Sequence, residues 1–103
     1  MATAEVPEQP DELVELRDGI RDDDREILRF FARRMEKVRA IGEYKKKRGM
    51  TPLQPDQHDA MLADRLEWAQ ELGIDPIEAA RKLIEILHDT SVEAQQAIID
   101  SPE

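Results

Sequence analysis

Between Asp11 and about Lys47 the chain has no proline, and its apolar residues recur every three or four positions, the period of one helix face. Alternate steps of four and three from Leu13 reach Arg17, Ile20, Asp24, Ile27, Phe31, Arg34, Val38, Ile41 and Lys45. Such a seam faces partner helices. The pattern predicts one helix of about 35 residues, ~50 Å long at about 1.5 Å per residue. Asp11 can cap its start, with Glu12 and Glu15 nearby, and Lys45, Lys46, Lys47 and Arg48 gather at its end, as the helix dipole prefers. Gly49 stops it.

Gly49 to Asp56 contains Pro52 and Pro55 and reads as a loop. Asp56 is expected to cap a second helix running through Leu72, with Met61, Leu62, Arg65, Leu66, Trp68 and Ala69 on its stripe and Gly73 as its stop. Asp75-Pro76 reads as a cap followed by proline at the first helical position. It opens a third helix from Pro76 to about Asp100, whose stripe includes Ile77, Ala80, Leu83, Ile84, Ile86, Leu87 and Ala94. Residues 1–10 carry Pro7, Pro10 and several acids without periodicity, and a disordered lead-in is expected there. Residues 11–103 then make one all-α domain, a three-helix chain with one long N-terminal helix. Two shorter helices cannot cover the whole length of the first. The expected assembly is an intertwined helical-bundle homodimer, the second copy related by a two-fold axis.

Composition narrows the chemistry. Aromatics are only 4% of the chain and charged residues 38%, a helical-bundle balance rather than a β-rich one. Without cysteine there is no disulfide framework, thiolate metal site or cysteine nucleophile. The N-terminal residues lack the pattern of a signal peptide, no apolar run is long enough for a membrane span, and a cytoplasmic location is expected. The net charge of −9 disfavours nucleic acid and anionic membrane as partners. The basic run Lys45 to Arg48 is explained by the helix C-terminus.

Against that acidic background, three cations on the first-helix seam stand out: Arg17, Arg34 and Lys45. Buried cations need counter-anions, and Asp24 alone cannot neutralise all three. They can each reach solvent or pair with an acid on another helix. Alternatively, the seam opens into a pocket for an anionic ligand, where the arginine fork matches carboxylates. Arg34 and Lys45 are ~16 Å apart along the axis, within joint reach of a small molecule. Arg17 lies ~25 Å from Arg34, too far for the same ligand unless it comes from the other subunit. His58 and His88 are isolated in the sequence, and no metal ligand set is expected.

These residues at these spacings resemble the all-helical class of chorismate mutases. The resemblance runs from Leu13 onwards through Leu16-Arg17, Ile20, Asp24, Ala32-Arg33-Arg34-Met35, Ile41-Gly42-Glu43-Tyr44-Lys45 and Gly73-Ile74-Asp75-Pro76, then Ser91 with Gln95. It implies that Arg34 and the partner subunit's Arg17 hold two carboxylates of chorismate while Lys45 and Gln95 bond its ether oxygen. The implied reaction is the pericyclic rearrangement of chorismate to prephenate in aromatic amino-acid biosynthesis, which needs no nucleophile, metal or cofactor. Catalysis would come from orientation and from stabilising charge on the ether oxygen.

The chain departs from that pattern where the family has an Asp and, three residues later, Arg-Glu, the acids of which contact the substrate ring hydroxyl. Ungapped, it has Gln54, Gln57 and His58; with one inserted residue it has Pro55, His58 and Asp59. One extra residue after Asp75 also leaves Thr90 and Ala94 as alternatives to Ser91 and Gln95. The segment from Ala60-Met61-Leu62 through Arg65 and Trp68-Ala69 to Gly73-Ile74-Asp75 is similar to isochorismate pyruvate lyases. Those lyases, like 4-amino-4-deoxychorismate mutases, lack the usual hydroxyl-binding Glu. A lyase, an aminodeoxychorismate mutase and a non-catalytic regulatory helical dimer therefore stand beside chorismate mutase as readings.

Overall fold

The structure, a computed structural model, describes residues 11–102; the expected disordered lead-in at 1–10 lies outside them. Three helices follow one another: α1 (Asp11–Arg48), α2 (Pro55–Glu71) and α3 (Ile77–Asp100). No strand occurs among the described residues. No helix in them is long and apolar enough to cross a membrane.

Both expected glycine stops are present, and each has a local reason. Gly49 and Gly73 take φ of 66° and 73°, a left-handed conformation that costs a residue with a Cβ but not glycine. Beyond each, the backbone turns back on the helix: Met50 N–H donates to the Lys45 carbonyl at 2.9 Å and Ile74 N–H to the Ala69 carbonyl at 3.0 Å. These bonds satisfy carbonyls that the helix end would otherwise orphan.

The helix starts differ from expectation. Asp56 is not a cap: Gln54 holds that position in extended conformation, Pro55 begins α2, and Asp56 lies in its first turn. Pro55 suits the first helical position because its missing N–H is one the helix could not use. Asp75 does not cap α3 either, since Pro76 is the extended N-cap residue and Ile77 the first helical one. Asp11 is itself helical, with Glu12 in the same first turn.

The chain divides into two units, one ending at Arg34 and one from Met35 to Glu103. In the first, the described residues are helical and carry their apolar side chains largely in the open. Ile20 and Ile27 are both 60% exposed, and Leu16, Leu28 and Phe30 are exposed as well. Locally, Glu26 pairs with Arg29 at 2.8 Å and the Arg33 guanidinium sits 4.9 Å from the Phe30 ring centre.

The second unit holds the packed core. Ala69 on α2 meets Ala80 and Ile84 on α3, with Met61, Leu62, Leu66 and Ile77 packed around them. Small alanines let the two helices approach, and removing a side chain such as Ile84 from water contributes about 2 kcal/mol. The end of α1 joins through Val38 and Gly42, both buried. A Cβ added at Gly42 would lie 3.0 Å from Ile98 Cδ1 and 3.3 Å from Gln95 Cα. At the far end, Lys46 Nζ donates to the Ser101 carbonyl at 2.7 Å and to its hydroxyl at 3.0 Å.

Candidate active site

The close approach of α1 and α3 at Gly42 places Lys45 against Gln95. Lys45 follows Gly42 by three residues, so both lie on nearly the same helix face. Its ammonium donates to Gln95 Oε1 at 2.9 Å and to the Pro52 carbonyl at 2.8 Å. Helix α1, the α1–α2 loop and α3 thus meet at one nitrogen. Two acceptors leave an ammonium one further N–H to offer. Burial lowers its affinity for the proton below that of an ordinary lysine, because removing water penalises the charged form.

Gln95 is 6% exposed and Ser91, one turn earlier on α3, is 8% exposed. The Ser91 hydroxyl donates to the Leu87 carbonyl at 2.8 Å, a back-bond to the preceding turn of the same helix. Of the two registers open from sequence, Ser91 and Gln95 occupy the buried face. Thr90 is half-buried and donates to the Ile86 carbonyl, and Ala94 is half-buried.

The remaining candidates fall elsewhere. Arg34 is half-buried and Arg17 exposed, both in the first unit. In the second, Gln54 Nε2 donates to the Thr51 carbonyl at 2.8 Å, folding the loop before α2. Gln54 and Gln57 line an open surface depression with Pro55 and Asp56.

His58 turns towards α3, and the two histidines are not isolated. Their ring centres lie 4.1 Å apart. His58 Nε2–H donates to Glu85 Oε1 at 2.9 Å, while Asp59 lies 3.5 Å from the other ring nitrogen. The Glu85 hydrogen bond, helped by the charges of Glu85 and Asp59, outweighs desolvation and raises the His58 pKa above the ordinary histidine value. One imidazole comes from α2 and one from α3, so only the packing of those helices reveals the pair. Sequence reading also missed the spacing role of Gly42. A glycine inside a helix costs about 1 kcal/mol against alanine, and that cost signals a packing reason.

The chorismate mutase type II family pattern matches residues 16–96, from the first turns of α1 to just beyond Gln95. The T-protein of Enterobacter agglomerans is 38% identical over 65 residues, 63% of this chain, and the chain spans only 17% of that protein's length. The isochorismate pyruvate lyase of Pseudomonas aeruginosa is 31% identical over 83 residues, 81% of each chain. No solved structure gives a significant match. With the family pattern spanning all three helices and the Lys45–Gln95 contact, the chain belongs to the chorismate mutase type II family.

Proposed function

We propose that the chain is a chorismate mutase that rearranges chorismate to prephenate as an intertwined homodimer. The observation that carries this reading is the Lys45–Gln95 pair: a partly desolvated ammonium hydrogen-bonded to a buried amide, with Ser91 one turn away. In the rearrangement the ether C–O bond breaks as a new C–C bond forms, and negative charge grows on the ether oxygen on the way. Lys45, offering its remaining N–H with a full charge, stabilises that oxygen more in the transition state than in the ground state. Gln95 holds the Lys45 ammonium through its carbonyl and offers its own N–H groups to the same oxygen.

Arg34 and Arg17 of the partner subunit bind the two substrate carboxylates, so two chains build each site. The exposed Ile20 and Ile27 on the same seam support the dimer, because apolar residues in such a row mark an interface. Gln54, Gln57 and Ser91 complete the substrate contacts near the ring.

A second reading has its own support. The Pseudomonas aeruginosa isochorismate pyruvate lyase is similar over most of both chains, and in the ungapped register His58 stands where the family pattern has a Glu, whereas one inserted residue places Asp59 there. Elimination of pyruvate from isochorismate breaks the same ether bond, so the same lysine serves either reaction. Incubating the purified chain separately with chorismate, isochorismate and 4-amino-4-deoxychorismate, with products separated chromatographically, decides between them. Prephenate from chorismate as the fastest conversion is the expected result. Faster release of pyruvate from isochorismate would replace the mutase reading with the lyase.

A further inference from the structure

Between α2 and α3, three side chains with metal-binding atoms converge: His58 from α2, and Glu85 and His88 from α3. Their ligand atoms all lie within 4.8 Å of one another. Glu85 and His88 are three residues apart on one helix, so both project to the same side, and a Glu-x-x-His pair on one helix is a chelating arrangement in helical bundles. We propose that His58, Glu85 and His88 bind a divalent transition metal of the zinc class, with a fourth position open to water or an anionic oxygen. The proposal concerns binding alone and does not depend on which reaction the chain catalyses.

The geometry needs little adjustment. Ligand atoms about 2.0–2.1 Å from a tetrahedral zinc are separated by roughly 3.3 Å. His58 Nε2 and Glu85 Oε1, at 2.9 Å, are already close to that separation. The other separations, at most 4.8 Å, are to be closed by side-chain rotation of Glu85 and His88. The metal would take the place of the Nε2 proton that now lies between His58 and Glu85; an imidazolium releases that proton to solvent, and a neutral ring keeps its one proton on Nδ1.

The surroundings fit as well. Asp59 lies 3.5 Å from His58 Nδ1 and Asp89 3.6 Å from His88 Nδ1. These two carboxylates add negative charge beside the imidazoles, which favours a bound cation. The His58 and His88 side chains are only 23% and 19% exposed, so both are held by packing while an ion can still enter. Two imidazoles and one carboxylate select zinc-class ions over magnesium and calcium, which take oxygen ligands. A simple His58–Glu85 ion pair accounts for neither the second imidazole nor its 4.1 Å ring contact.

The test uses the full-length chain without a histidine tag, stripped with chelator and titrated with zinc chloride by calorimetry. Cobalt chloride titration, followed by visible absorption, reports coordination. One ion per chain with micromolar or tighter affinity, a cobalt spectrum of tetrahedral type, and weakening of about tenfold or more in both His88→Asn and Glu85→Gln are expected. Circular dichroism identifies which variants are folded, and either folded variant suffices for the comparison. Absence of stoichiometric zinc binding below about 1 mM, or unchanged affinity in a folded variant, overturns the site.

Discussion

Lys45 and Gln95 lie 50 residues apart in sequence, yet the lysine ammonium donates to the glutamine side chain at 2.9 Å. The contact exists because α1 and α3 approach at Gly42, where a Cβ would lie 3.3 Å from the Gln95 backbone. A larger side chain there must push α3 away from α1. Gly42→Val is therefore expected to lower stability by about 1–3 kcal/mol, the usual cost of overpacking, and to reduce turnover by lengthening the Lys45–Gln95 bond. Urea unfolding and steady-state kinetics measure the two effects. Unchanged stability and turnover would show that the helices do not depend on a glycine there.

Subunit sharing makes a prediction of its own. If Arg17 serves the partner's site, the chain sediments at about twice its 11.9 kDa mass. Mixing Arg17→Ala with Arg34→Ala chains should then restore activity, since one of the two sites in each heterodimer retains both arginines. A folded monomer at micromolar concentration, or no recovery after confirmed subunit exchange, would rule out a shared site.

The desolvated Lys45 carries a pH signature. Its pKa is lowered by burial, so the ammonium is lost as pH rises through a value below that of an ordinary lysine. Because kcat/KM reports ionisations of the free enzyme, it should fall on the alkaline side with an inflection in that depressed range. In Lys45→Arg the inflection should move beyond the measurable range, since a guanidinium keeps its proton. A flat wild-type profile through the ordinary lysine range would mean that the charge of Lys45 is not required.

Much of the fold is legible in the sequence because its signals are local. Gly49 and Gly73 end helices where no other residue type takes a left-handed φ cheaply, and the seam from Leu13 to Lys45 gives α1 by periodicity alone. Asp56 and Asp75 look like caps by type, but the N-cap residues are Gln54 and Pro76, two positions earlier in α2 and one later in α3 than those acids suggest. His58 and Glu85 are 27 residues apart, and no periodicity within either helix reveals that the two faces meet. Ser91 and Gln95 are distinguished from Thr90 and Ala94 only by which side of α3 packs inward, a property of tertiary packing.

The most direct measurement is the turnover of chorismate by the wild-type chain and by Lys45→Met, with prephenate quantified as product. Methionine keeps much of the lysine side-chain volume but carries no charge and no N–H, so the fold should survive while the ether oxygen loses its cation. By analogy with removal of an oxyanion donor, kcat should fall about a hundredfold or more, on the order of 3 kcal/mol of transition-state stabilisation. A folded Lys45→Met chain that produces prephenate at the wild-type rate, or a wild-type chain that produces none, would contradict the proposed mutase site.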